Sequence, residues 1–171
     1  MQSTENKVTV CVQMKTAYMF DFLYWHSYHG IMGVVNYGLS LVALGALIMG
    51  FGKGNPMATV ALIVLSLLFT VINPLLLLQK ADKQVKRVPM FQKPITYSFD
   101  AKGFSVTQEK ESAEADWADV MLIRETKKTL AIYLGVANAV VLPKDQCGDA
   151  LAGIKSLLKA ARPVFASKLK K

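Results

Sequence analysis

Histidine and cysteine are scarce in this sequence of 171 residues. His26 and His29 are the only histidines, and Cys11 and Cys147 are the only cysteines. Because residues 80–171 contain no histidine, the usual histidine-based catalytic triads and most zinc sites are excluded there. No glycine-rich phosphate loop occurs either. The sequence therefore predicts a protein that is not an enzyme, with no catalytic residue, cofactor or metal site.

Charge is nearly absent from residues 30–78, where Lys53 is the only charged residue. The same 49 residues hold 32 apolar side chains, whereas the other 122 residues have an ordinary globular composition. This distribution excludes a purely cytosolic, a fibrous and a disordered protein. It also leaves too little chain outside the apolar segment for a large multidomain enzyme.

The apolar segment predicts two transmembrane helices, residues 31–51 and 57–78. At about 1.5 Å per residue, each helix spans a hydrocarbon core roughly 30 Å thick. Residues 52–56 form a short turn rich in helix breakers, so the helices form an antiparallel hairpin. Lys53 is the only basic residue in this turn. Six basic residues flank the other ends: Lys7, Lys15, Lys80, Lys83, Lys86 and Arg87. This bias predicts a multi-pass membrane protein with both termini cytoplasmic.

Small and polar residues inside the hairpin predict how its helices pack. Asn36 and Asn73 fall at similar depth in an antiparallel pair, so we expect their amides to hydrogen-bond across it. Gly38 and Gly45 allow close backbone approach, either within the hairpin or with another chain. Asn73 also precedes Pro74, which predicts a kink near the inner end of the second helix.

The residues that flank the hairpin predict contact with the membrane surface. Residues 16–29 hold six of the chain's sixteen aromatic residues and predict an interfacial amphipathic helix that includes Trp25. Residues 79–94 form a basic linker, in which Lys80, Lys83, Lys86 and Arg87 match an anionic inner leaflet. His26 and His29 are three residues apart, which provides too few ligands for a metal, so we interpret them as polar tips at the interface.

Alternating β-branched residues predict a strand over Val8–Val12. Because both termini are predicted on the same side of the membrane, two arrangements are open for this strand. It either joins the sheet formed by the C-terminal part of the chain, or it belongs to a free or membrane-lying arm.

The C-terminal part of the chain predicts an antiparallel sheet closed by a helix. Six short alternating segments lie between residues 95 and 142, and helical spacing follows from Cys147 to Ala161, with Asp145 as the expected N-cap. We expect Trp117 and Cys147 in the core. Five acidic residues are expected to form a solvated face: Glu109, Glu111, Glu114, Asp116 and Asp119.

These residues also resemble a known family. Their pattern is similar to that of the YcxB-like C-terminal domain. The similarity rests on Phe99, Phe104, Trp117 with Val120, Glu125, Leu130 with Ile132 and Tyr133, the Leu142-Pro143-Lys144 run and the closing helix. The resemblance implies a pleckstrin-homology-like (PH-like) fold on a two-helix anchor in a bacterial inner (cytoplasmic) membrane and provides no catalytic motif. Val120 stands where the family favours isoleucine, a conservative difference.

Together, these features predict an α+β membrane protein in four parts. They are an N-terminal strand and aromatic helix (1–29), the hairpin (30–78), the basic linker (79–94) and a cytoplasmic PH-like domain (95–171). The expected function is to display a domain that binds a protein or an anionic lipid surface. The alternative is an accessory, regulatory or immunity subunit that packs through its hairpin against a larger membrane protein. The expected partners are the lipid bilayer, an unidentified protein and possible further copies of the chain, and nucleic acid is not expected.

Overall fold

The computed structural model describes residues 7–50, 55–135 and 138–169. The helices are α1 Thr16–Tyr28, α2 Ile31–Gly50, α3 Pro56–Leu67, α4 Asn73–Arg87, α5 Pro89–Gln92, α6 Lys144–Cys147 and α7 Ala150–Ala161. The strands are β1 Val8–Val12, β2 Ile95–Phe99, β3 Gly103–Gln108, β4 Glu111–Asp116, β5 Leu122–Glu125, β6 Thr129–Tyr133 and β7 Ala139–Pro143. Most of the predicted hairpin turn, including Lys53, lies outside the described residues.

Two helical segments, Gly33–Gly50 and Pro56–Arg87, are long and apolar enough to cross a membrane. They pack against each other as a hairpin, in which the Ser40 hydroxyl of α2 donates to the Leu65 carbonyl at 3.1 Å. At the start of α3, the Asn55 side chain caps the helix by accepting from the Met57 N–H at 2.9 Å. The outward faces of both helices consist of exposed apolar side chains, such as Met49 and Met57.

The predicted irregularity at Pro74 takes the form of a π-helical turn rather than a break. Pro74 has no N–H to continue the helical hydrogen-bond ladder. The preceding turn, Leu68–Ile72, is π-helical, and the Asn73 N–H donates to the Leu68 carbonyl. The helical segment from Pro56 therefore continues without interruption to Arg87, beyond the predicted end of the second span.

The strand β1 joins the sheet built by the C-terminal part of the chain. It pairs antiparallel with β2, with Val8 opposite Phe99 and Val12 opposite Ile95. Val10 and Val12 point into the core, which is the face expected from their alternation. Of the two arrangements that were open for this strand, the structure shows the first, and the free or membrane-lying arm is wrong for these residues. The hairpin is thus inserted between two neighbouring strands.

All six strands predicted after the hairpin are present, but the strands form two sheets. The first sheet has the order β1-β2-β3-β4 and the second has the order β5-β6-β7. A 3₁₀ turn over Trp117–Asp119 separates them, closed by reciprocal bonds between the Asp116 and Asp119 side chains and the backbone. The expected single curled sheet is therefore divided at this turn.

The sheets enclose a core that α7 closes on one side. Ile154 and Leu158 of α7 are fully buried with Phe99, Ile132 and Leu142. The C-terminal helix is divided as well: α6 ends at Gly148, whose φ of 50° turns the chain before α7 begins. The prediction of Asp145 as the N-cap is wrong, because Asp145 lies inside α6 and Asp149 precedes α7.

Candidate membrane-surface site

The predicted basic linker is mostly helical, and α4 separates its apolar and basic residues onto different faces. Leu77 and Ala81 are buried, whereas Lys80, Lys83 and Arg87 are exposed at helical spacing on another side of α4. These three side chains, here called the basic face, follow directly after the exposed leucines at 75, 76 and 78. Lysine and arginine at this position suit a surface of anionic lipid.

Lys86, the fourth predicted basic residue, lies beside this face and is paired. Its Nζ is 2.7 Å from Asp82 Oδ2, one helical turn away. The ammonium group lowers the pKa of the Asp82 carboxyl below its usual range, and the Thr16 hydroxyl also donates to this carboxylate at 3.1 Å. Asp82 therefore connects the start of α1 to α4, and Lys86 pairs with this carboxylate.

The aromatic helix α1 packs against the protein along much of its length. Met19 and Tyr18 are buried, and they share a cluster with Ala81 of α4 and Val141 of β7. The Tyr18 hydroxyl donates to Asp145 Oδ2 at 2.6 Å, and this bond raises the pKa of Tyr18. The sequence predicted this helix at the interface but not its burial between α4 and the second sheet.

Trp25, the aromatic residue predicted at the membrane surface, is half-buried near the C-terminal end of α1. Its ring stacks with His29 at a centroid distance of 4.9 Å, and the guanidinium carbon of Arg124 lies 5.5 Å from its ring centroid. Trp25 thus brings strand β5 to the end of α1, where the chain enters α2. Nothing in the sequence pattern distinguishes Arg124 from an ordinary exposed strand residue.

The predicted packing residues of the hairpin have other neighbours than expected. The Asn73 amide donates to the Tyr28 hydroxyl at 2.9 Å, instead of to Asn36. The same hydroxyl donates to the Phe69 carbonyl at 2.8 Å, in the π-helical turn. This pairing connects α1, rather than α2, to the helix that carries the basic face.

Gly38 and Gly45 do not mediate close packing within the hairpin. A Cβ atom built at either position meets no atom within 4 Å, in contrast to Gly33, whose Cβ would lie 2.1 Å from the Tyr28 carbonyl oxygen. Of the two predicted roles for Gly38 and Gly45, only the contact with another chain is left open.

A buried ionic cluster, missed in the sequence, lies where several of the family-like residues meet. The Glu125 side chain is 1 % exposed, and its Oε1 is 2.8 Å from both Lys144 Nζ and Lys155 Nζ. Lys144 also donates to the Thr126 carbonyl at 3.2 Å. An acidic residue at an inward position of β5 was the available signal, because a buried carboxylate requires partners.

Asp21 of α1 connects this cluster to the helix. Its carboxylate accepts from the Thr126 hydroxyl and, at 3.0 Å, from the Thr129 hydroxyl. The two hydroxyl oxygens lie 2.8 Å apart, and the Thr129 N–H donates to the Thr126 hydroxyl at 2.9 Å. Three elements, α1, β5 and β6, are thereby held together by side chains next to the buried ion pair.

The remaining predicted residues occupy structural positions. Trp117 is 4 % exposed in the core, and its indole N–H donates to the Asp100 carbonyl at 3.0 Å. Burial raises the pKa of Cys147 to about 11, and Cys11 is exposed and free. The five acidic residues of the predicted solvated face are exposed. Within the described residues, no three His, Cys, Asp or Glu side chains are close enough together to hold a metal ion.

One segment of the chain matches a known protein family. The family model described as YcxB-like protein matches residues 99–158, from the end of β2 into α7. The resemblance noted from Trp117, Glu125 and Lys144 is therefore confirmed over this segment. Neither a curated protein nor a solved structure matches the chain significantly.

Proposed function

We propose that the chain with this YcxB-like segment is an integral, multi-pass protein of a bacterial inner membrane that holds a cytoplasmic PH-like domain against anionic lipid. The basic face of α4 carries this proposal. Lys80, Lys83 and Arg87 are exposed on the helix that continues from the apolar hairpin, while α1 covers its opposite side. In this proposal the protein presents a domain at the membrane surface and catalyses no reaction.

The pairing of β1 with β2 supports the orientation. These strands flank the hairpin and lie side by side in one sheet. A segment inserted between paired strands has to leave and re-enter the same compartment, which requires an even number of crossings. Together with the charge bias, this favours both ends of the described chain in the cytoplasm.

The PH-like description is supported by the strand arrangement. Seven antiparallel strands lie in sheets of four and three, and the chain then forms α7 across the core. β1 provides the seventh strand, which the region after residue 95 lacks on its own. In this arrangement the hairpin is an insertion into the domain rather than a separate anchor.

The topology is tested by labelling single cysteines in intact cells with a membrane-impermeant maleimide. Asn55→Cys, in a chain whose native cysteines are replaced, should react without permeabilisation. Native Cys11, exposed on β1, should react only after permeabilisation when Cys147 is replaced. Labelling of Cys11 alone in intact cells, or of both positions, would overturn the proposed topology.

Lipid binding is tested by the melting temperature of the full chain in detergent. Phosphatidylglycerol should raise it more than phosphatidylcholine does, and added salt should reduce the difference. Changing Lys80, Lys83 and Arg87 to glutamine should remove most of this preference. A control with the exposed Lys102, Lys110 and Lys159 changed to glutamine carries the same net charge and should retain it. Equal loss in both variants contradicts a specific role of α4.

A second candidate function rests on the exposed face of α2. A Cβ at Gly38 or Gly45 would meet no atom within 4 Å, so this face has room for a larger membrane protein or a second copy. An accessory or regulatory subunit would lose its partner in a detergent pull-down when both glycines become leucine. If the recovered proteins are unchanged, this alternative is wrong.

A further inference from the structure

Two polar groups without partners lie between α1 and the second sheet. Arg124 Nε and the Tyr133 hydroxyl are buried and have no hydrogen-bond partner in the part of the chain that the structure describes. Leu122 is opposite Tyr133, and Arg124 is opposite Ala131, so both polar side chains are on the same face of the sheet. Unpaired buried donors are costly and therefore rare, which points to a missing acceptor.

The missing acceptor is anionic by the chemistry of these groups. The Nε–H of arginine only donates, and the planar guanidinium matches the oxygens of a phosphate. Burial raises the pKa of Tyr133, so its hydroxyl keeps its proton at neutral pH. Among the ion pairs of the described residues, none includes Arg124, so its charge is not balanced by a carboxylate.

The rings of α1 form the wall of this site. Phe22 and His26 lie over Tyr133, with centroid distances of 5.9 and 6.3 Å, and Trp25 lies against the Arg124 guanidinium. Tyr133 is 6 % exposed, whereas Arg124 is only half-buried. Arg124 is thus the part of the site that an incoming group reaches first.

The depth of the site follows from the contacts of α1 with α4. Tyr28 bonds to Asn73, and Thr16 bonds to Asp82, so the two helices run antiparallel. Trp25 is three residues before Tyr28, which places it about 4.5 Å closer to the cytoplasmic end of α4. This level falls near Leu76, among the last exposed leucines of α4 and about 6 Å before Lys80.

We propose that Arg124, with the Tyr133 hydroxyl beside it, binds the phosphate of an anionic phospholipid of the inner leaflet. The inference rests on the membrane position proposed above and adds a second lipid site, on β5 and separate from the basic face of α4. The phosphate accepts from the guanidinium and from Tyr133, while Trp25 packs at headgroup depth, where tryptophan is favoured. The PH-like domain then holds a lipid directly.

The test is native mass spectrometry of the detergent-purified full chain, titrated with phosphatidylglycerol and, separately, with phosphatidylcholine. Arg124→Gln should weaken phosphatidylglycerol binding about fivefold, the loss expected for one basic residue at an anionic surface. Arg124→Lys keeps the charge without the planar donor set. Its affinity for phosphatidylglycerol should lie between those of the unchanged chain and Arg124→Gln. Lys110→Gln removes the same charge at an exposed turn and should bind like the unchanged chain.

Tyr133→Phe keeps the proposal testable if Arg124 variants fail to fold. This change removes only the unpaired hydroxyl, so the lipid-free protein should be at least as stable. The rise in melting temperature that phosphatidylglycerol causes should nevertheless shrink. An unchanged rise in Tyr133→Phe overturns the site, and so does normal binding in a folded Arg124→Gln.

The outcomes separate this site from the proposed function. If the unchanged chain shows no preference for phosphatidylglycerol over phosphatidylcholine, the proposed function fails. If it shows a preference that the α4 variants lose and Arg124→Gln retains, only the Arg124 site fails. Competition by about 10 mM inorganic phosphate that abolishes the Arg124-dependent binding would identify a free phosphate as the ligand and overturn the lipid assignment.

Discussion

Glu125 is a buried carboxylate held by two lysine ammonium groups. Removing one partner of a buried ion pair leaves uncompensated charge, so Glu125→Gln should destabilise the protein by about 3–5 kcal/mol. The measurement is the unfolding of the full chain in detergent. Lys93 and Glu109 provide the control, because their 2.5 Å ion pair is exposed and Glu109→Gln should cost less than about 1 kcal/mol. Similar losses in both variants would contradict a structural role of the cluster.

Cys147 gives the stability of the protein a pH dependence above pH 9. Burial raises the pKa of its thiol from 9.0 to about 11, so the unfolded chain releases this proton first as the pH rises. The thiol's contribution is complete below pH 9 and is lost by about pH 11, a change of about 2 kcal/mol. Cys147→Ala should therefore flatten the fall in the free energy of unfolding over this window. An equally steep fall in the variant would contradict this assignment.

At the scale of single residues, alternation along the strands was the useful signal. It correctly placed Trp117 inside and the acidic residues of β4 outside, while helical spacing correctly placed Cys147 inside. It also places Glu125 inward, but the identity of the partners of a buried charge depends on packing that brings Lys144 and Lys155 to one oxygen. Arg124 was missed because its alternating position on β5 predicts an exposed side chain. Its Nε is buried only because α1 packs against this face of the sheet.

Among the elements, the junction of α1 and α2 depends on one glycine. A methyl group at Gly33 would lie 2.1 Å from the Tyr28 carbonyl oxygen, so Gly33→Ala should force this junction apart. We expect a loss of about 1–3 kcal/mol, seen as a lower melting temperature in detergent. Gly38→Ala is the matched control, since open space surrounds that position. If the two variants have the same melting temperature, the α1–α2 junction accommodates the added methyl group without strain.

The presence of the elements followed from the sequence, whereas the end of the second hairpin helix and the association of the elements did not. Hydrophobic period and turn residues predicted the helices of the hairpin and all six strands after it. The division into two sheets depends on the Trp117–Asp119 turn, whose capping bonds are a local detail without an apolar pattern. Likewise, the aromatic residues of α1 suit both a lipid interface and a protein surface, so composition alone does not distinguish them.

The whole molecule is a β domain that is interrupted by a hairpin. Replacing residues 30–78 by a flexible glycine-serine linker should therefore leave a soluble domain in which β1 still pairs with β2. Hydrogen exchange should show protected amides in both strands. The fragment 80–171 should fail to fold stably, because it lacks β1 and α1, which cover Phe99 and Val141. Equal protection of β2 in the two proteins would show that β1 is dispensable.

The pairing of Val12 with Ile95 also orders the events of synthesis. The two residues are 83 positions apart, and the apolar hairpin is translated between them. At roughly 5–20 residues per second, β1 waits about 4 to 17 seconds on the ribosome before its partner strand emerges. The whole hairpin is therefore synthesised before the sheet is able to close. Closure of the sheet around β1 is thus a late step, which has to wait for residues on the far side of the hairpin.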